Sequence, residues 1–173
     1  MNKIGLLLGV LFLAVSPRGF SEPALQYPVT TMQGDSVNLN EFIGKVVYVD
    51  FWASWCGPCR KSFPWMAAMH AKYSEQGLAV VAINVDSDKA LAEEFLSKMA
   101  IQLAANQHTS TESPIAFNLR FDADAIVAHQ FDLQGMPSSF IFNKKGELVQ
   151  SHVGFFEENA PAYEQELTQL LKD

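Results

Sequence analysis

Cysteine is scarce in this chain of 173 residues: there are two, Cys56 and Cys59, three positions apart. A zinc site built on that pair would need two more ligands. No further cysteine exists to supply them, and His70, His108, His129 and His152 stand singly along the sequence, which leaves them without a role. A purely structural disulfide is equally poorly motivated, because closing so short a loop removes little entropy from the unfolded chain. Basic residues are also few, 12 Lys and Arg against 19 Asp and Glu. Such an acidic balance argues against a nucleic-acid partner. There is no internal repeat and no low-complexity tract. The N-terminal apolar run from Ile4 to Val15 spans 12 residues, fewer than the roughly 18 expected of a membrane-crossing helix. No cysteine follows that run, which excludes a lipoprotein anchor.

What is present at the N-terminus reads as an export signal. Lys3 supplies a positive charge, Ile4 to Val15 the apolar stretch, and Gly19 and Ser21 small residues at a spacing suited to cleavage after Ser21. The expected division is a signal peptide over 1–21 and one domain over 22–173, with an uncleaved membrane anchor as the alternative. Cleavage would remove Lys3 and Arg18 and leave 10 basic against 19 acidic residues, a net charge of −9. With 49% hydrophobic and 18% charged residues, the remaining chain can bury a sizeable core. A periplasmic or otherwise exported location fits the cysteine pair, since disulfides form and persist outside the cytosol.

The chain then alternates strands and helices. Val29 to Ile43, around Gly34-Asp35, reads as a hairpin. Val46 to Phe51 is β-branched and aromatic and reads as a buried strand. A helix is expected from Cys59 to Glu75, bent at Pro64 and stopped by Gly77. Leu78 to Val85 is a continuous apolar strand, and Asp88 to Met99 a helix carrying Ala90, Leu91, Phe95 and Met99 at helical spacing. Parallel pairing with right-handed crossovers follows from that order. Ile101 to Pro114 is polar and reads as a surface loop, a partner-recognition element being the sharper alternative. Beyond it come a strand at Ile115 to Phe121, a short helix at Ala125 to Phe131, and strands at Ser138 to Phe142 and Glu147 to Val153 about a turn at Lys144-Lys145-Gly146. An amphipathic helix from Glu157 to Lys172 closes the chain, with Tyr163, Leu167, Leu170 and Leu171 as core contacts.

The cysteines therefore fall where a strand gives way to a helix. Unpaired N–H groups and the positive end of the helix dipole stabilise a thiolate at Cys56, with Arg60 and Lys61 adding charge. Thiolate is the nucleophilic form. Cys59, one turn further in, is expected to be less exposed and to act as the resolving thiol that attacks a mixed disulfide on Cys56. Trp52 is expected in the core, as are Phe63, Trp65 and Met66, and Trp55 at the substrate-facing surface.

The core Trp55-Cys56-Gly57-Pro58-Cys59, Ile83-Asn84-Val85-Asp86, Gly135-Met136-Pro137-Ser138-Ser139-Phe140 and Lys145-Gly146-Glu147 together resemble the thioredoxin superfamily. Within it the chain most resembles the TlpA-like branch of exported thiol-disulfide oxidoreductases, over approximately Val29 to Leu171. The resemblance implies an α/β thioredoxin-like fold: a central mixed sheet flanked by helices, with the N-terminal hairpin as an extension and the segment of about 100–114 as an insertion loop. It also implies a cis proline at Pro137 facing the cysteine pair, leaving the backbone of Met136 to pair with an extended substrate segment. Gly57 and Pro58 form the active-site turn. Asp50, six positions before Cys56, stands where thioredoxins proper keep a buried carboxylate; burial would raise its pKa and fit it to take the proton of Cys59. The TlpA-like branch more often uses a glutamate three residues after the second cysteine, and here that position is Ser62.

The resemblance further implies an exported reductant of client proteins bearing disulfides or thiols, such as apocytochromes c, kept reduced by a membrane thiol transporter of the DsbD or CcdA kind. No cofactor or metal is required. Gly57-Pro58 matches the dipeptide of reducing thioredoxins. The alternatives are a thiol oxidase or isomerase and a binding or chaperone module with incidental cysteines. A thiol peroxidase is weaker, because no Thr-X-X-Cys context surrounds Cys56.

Overall fold

The computed structural model describes residues 25–106 and 114–173. The expected signal peptide at 1–21 lies outside them, as does part of the expected insertion loop. Strand β3 (Val46–Trp52) is buried along its whole length and lies between β4 and β6 inside a seven-stranded sheet ordered β2-β1-β5-β4-β3-β6-β7. The others are β1 (Pro28–Thr31), β2 (Ser36–Asn38), β4 (Leu78–Asn84), β5 (Asn118–Phe121), β6 (Ser138–Phe142) and β7 (Leu148–Val153). β3 runs parallel to β4 from Val46↔Leu78 to Trp52↔Asn84, and antiparallel to β6 from Phe51↔Ser138 to Val47↔Phe142. β5 is parallel to β4, and β7 antiparallel to β6. The sheet is mixed, as expected, and the hairpin β1–β2 extends it beyond β5.

Alternation along β3 sorts its side chains between two layers. Val46, Tyr48 and Trp52 face a core shared with α1 (Cys59–Tyr73), α2 (Lys89–Asn106) and α4 (Ala160–Lys172), while Val47, Val49 and Phe51 face one shared with α3 (Ile126–Gln130) and Phe131. Asp50 has the parity of the first set, so its carboxyl points toward the layer that carries the cysteines. An aromatic knot fills the first layer: the Trp52 ring lies 5.0 Å from Phe63 and 4.8 Å from Phe95, and Phe63 lies 5.2 Å from Phe95 and 5.7 Å from Phe117. Pairs at these separations add about 0.5–1.5 kcal/mol each to the area they bury. Phe63 and Met66 are fully buried and Trp65 partly so, as read from the sequence.

Several element boundaries differ from expectation. Helix α2 continues past Met99 to Asn106, so the front of the expected insertion loop is helix. Its residues explain this: Ala100, Leu103, Ala104 and Ala105 are good helix formers, and Leu103 follows Met99 by four positions to extend the buried stripe. Strand β5 begins at Asn118 instead of Ile115, because its partner β4 pairs with it only from Val81 to Asn84; Phe117 turns into the core instead. Helix α1 runs on through Pro64 and ends at Tyr73, and a single 3-10 turn, Ser74–Gln76, leads to Gly77. That glycine holds φ at +96°, a left-handed conformation that stops helices and favours a residue without Cβ. The closing helix likewise opens with a 3-10 turn, Glu157–Asn159, ahead of α4. Tyr163 and Leu167 are buried, and Leu170 and Leu171 pack partly against the core.

Candidate active site

β3 ends at Trp52, and seven residues later Cys59 opens α1. Across that turn Cys56 and Cys59 are joined, with an S–S distance of 1.97 Å and Cα atoms 5.4 Å apart. The Cys59 N–H, one of the donors that a helix start leaves unpaired, points at Cys56 Sγ from 3.2 Å. Arg60 and Lys61 are engaged elsewhere: the Arg60 guanidinium sits 4.9 Å above the Phe95 ring, and Lys61 pairs with Glu157 at 3.1 Å in solvent. Stabilisation of negative charge on Cys56 therefore comes foremost from the backbone.

In this disulfide form Cys56 is 3% exposed and Cys59 is 0% exposed. The order agrees with expectation, but the attacking sulfur is far less open than a sequence reading of it as accessible implies. It lies in the floor of a groove of about 520 Å³ lined by Trp55, Gly57, Pro58, Leu133, Gln134, Gly135 and Met136. Trp55 stands at the rim, 69% exposed, while Trp52 is sealed in the core. The opposite wall carries a cis Met136–Pro137 bond. The Pro137 carbonyl accepts from Gly154 N–H at 2.7 Å, fixing that wall to the end of β7. A Cβ on Gly135 would stand 3.0 Å from Val153 Cγ1, close enough that the valine would have to shift to admit it.

Sequence reasoning gave no role to Asp86, which ties the turn down. Its carboxylate accepts from Ser54 N–H at 2.8 Å, Ser54 Oγ at 2.9 Å and Asn84 Nδ2 at 2.8 Å, and its own N–H donates to Asn84 Oδ1 at 2.9 Å. Asp122 acts similarly on the far wall, where its carboxylate accepts from the N–H groups of Val127 and Ala128 at the start of α3. The signal for Asp86 was its place in Asn84-Val85-Asp86 at the end of a buried strand, where a carboxylate needs partners.

Asp50 is 1% exposed on the face of β3 that meets the cysteine-bearing layer, with Oδ1 buried and without a hydrogen-bond partner. Desolvation pushes its pKa well above the usual carboxylate range, against the opposing pull of the Tyr48 and Ser62 hydroxyls. Ser62 is fully buried one turn beyond Cys59 and donates to the Cys59 carbonyl at 3.0 Å. The residue standing where the TlpA-like branch has its glutamate thus links Asp50 to the helix turn that holds the second sulfur.

The sheet topology and the sulfur pair at the head of α1 define a thiol-disulfide oxidoreductase of thioredoxin-like fold. The chain belongs to the Redoxin family, whose model matches residues 18–167. A crystal structure from Chlorobium tepidum assigned as thiol:disulfide interchange protein DsbE superposes with a TM-score of 0.74 at 36% identity, covering 87% of this chain and 96% of that one. Thiol-disulfide oxidoreductase ResA of Bacillus subtilis is 29% identical over 73% of this chain and 63% of its own length. ResA of Halalkalibacterium halodurans is 25% identical over 77% of this chain and 68% of its own.

Proposed function

We propose that this oxidoreductase is an exported reductant of protein disulfides, cycling Cys56 and Cys59 between dithiol and disulfide. The observation that carries the reading is the asymmetry of the pair: Cys56 in the groove floor with a backbone N–H on its sulfur, Cys59 sealed beneath it. The Cys56 thiolate attacks one sulfur of a client disulfide, forms a mixed disulfide and expels one client thiolate. Asp50, as carboxylate, accepts the proton of Cys59. The Cys59 thiolate then attacks Cys56 Sγ, the Cys56–Cys59 bond forms, and the second client thiolate leaves and takes a proton from water. Two electrons have passed to the client. The Trp55 ring and the backbone of Met136 beside Pro137 hold an extended client segment across the groove, and Gly57 and Pro58 shape the turn between the sulfurs. No cofactor or metal enters the cycle.

A membrane thiol transporter of the DsbD or CcdA kind would return the protein to its dithiol form, and apocytochromes c are the client class that the resemblance to the TlpA-like branch implies. The direction of flow turns on the potential: thioredoxin and DsbA differ by ~150 mV, about 7 kcal/mol for two electrons. The test is a redox titration of the purified protein combined with trapping by Cys59→Ser, which should freeze the mixed disulfide with a client. A midpoint near ~−270 mV with trapped clients supports the reductant. One between ~−120 and −180 mV would assign an oxidase or isomerase instead, and full activity in Cys56→Ser would leave only a binding module.

A further inference from the structure

The proton chemistry of Asp50 depends on what surrounds it, and its surroundings carry almost no charge. On its own strand Tyr48, two positions back, shares its face. From α1 comes Ser62, from β4 the directly opposed Ala82, and from β6 the directly opposed Ser139. One strand further, His152 of β7 stands opposite Ser139 and is held by Glu166 of α4 at 2.8 Å, with the Tyr163 ring tilted against it at 4.6 Å. Tyr48 is the member that reaches both sides of this cluster. It is 2% exposed, its ring sits edge-on to Trp65 at 5.1 Å, and it lies on the same face of β3 as Asp50, with Ser139 of β6 directly across from Asp50. A tyrosine ring suits a buried strand, but burying its O–H is costly unless the group has a partner.

We propose that Tyr48 is a positioning residue for the resolving step: steadied by Ser139, its hydroxyl donates to the Asp50 carboxylate and keeps the ionised form available to accept the Cys59 proton. This rests on the reading of Asp50 as proton acceptor and adds the group that makes that role workable at neutral pH. Burial alone would leave the carboxyl protonated and useless as a base. The pull of the Tyr48 hydroxyl opposes that burial, and the phenol itself, desolvated and facing Asp50, is pushed well above its ordinary range and so stays a donor.

The experiment is stopped-flow reaction of the reduced protein with the disulfide of thionitrobenzoate between pH 5 and 9. The first release of colour reports attack by Cys56 and the second reports resolution by Cys59. Tyr48→Phe keeps the ring against Trp65 and removes only the hydroxyl. It should leave the first phase unchanged and move the pH midpoint of the second upward by about one unit, a tenfold slower resolution below the midpoint. Ser139→Ala should move it the same way by less, and Tyr48→Phe in an Asp50→Asn background should add nothing. If Asp50→Asn slows the second phase while Tyr48→Phe and Ser139→Ala leave its midpoint in place, Tyr48 has no part and the acceptor reading stands. If Asp50→Asn resolves as fast as the parent protein, both fall.

Discussion

Replacing Asp50 with Asn should alter how the stability of the oxidised protein depends on pH, by an amount that burial fixes. In the unfolded chain this carboxyl ionises near ~3.9. In the folded chain, at 1% exposure and with one oxygen unpartnered, it holds its proton to a much higher pH. Between those two values the folded state binds a proton that the unfolded state has released. Stability from this group is therefore complete below about pH 4 and declines as pH rises toward the folded pKa, at ~1.4 kcal/mol per pH unit. With a urea slope of about 1–3 kcal/mol/M for a protein of this size, each unit moves the unfolding midpoint by ~0.5–1.4 M. Asparagine does not titrate. Other groups titrate alike in both proteins, so the stability of the parent minus that of Asp50→Asn should fall as pH rises above about 4, by up to ~1.4 kcal/mol per unit until the folded pKa is reached. Urea unfolding followed by tryptophan fluorescence, with the disulfide intact, measures it. A difference that stays constant from pH 5 to 7 would refute the argument that this carboxyl is buried with a raised pKa.

Asp86→Ala removes the acceptor for Ser54 N–H, Ser54 Oγ and Asn84 Nδ2, and should cost about 2–4 kcal/mol by thermal or urea unfolding; a loss under ~0.5 kcal/mol would mean that water replaces the carboxylate freely. Phe63→Ala opens the aromatic knot among Trp52, Phe95 and Phe117 and should cost about 3–5 kcal/mol in the same assay. Trp55→Ala, at a side chain 69% exposed, should leave stability within about 0.5 kcal/mol yet raise KM for a protein disulfide; equal KM values would remove Trp55 from the client surface.

The parts legible in the sequence were those set by near neighbours in the chain. The apolar run of β3, the cysteine spacing at the head of α1 and the stop at Gly77 each follow from a few adjacent residues, and the mixed sheet follows from their order. The end of α2 was misread because the polar residues after Met99 outweighed the helical stripe that Leu103 continues. Roles set by partners distant in sequence were beyond reach. Ser54 and Asp86 are 32 positions apart, and nothing near either says that one secures the other. Tyr48 passed for one more aromatic in a strand, since its significance comes from Ser139, which only the register of β6 brings opposite Asp50.

Leu25, where the described chain begins, is 1% exposed and lies near Gly146 in the turn between β6 and β7. That turn borders Gly44, whose N–H donates to the Lys144 carbonyl at 2.8 Å, and so sits at the start of β3. The sulfurs lie beyond the other end of the same seven-residue strand, about 23 Å away at 3.3 Å per residue. Whatever precedes Leu25 is therefore joined at the pole opposite the client groove. A molecule held to a surface by that segment would turn its reactive face outward, free to meet partners without releasing its hold.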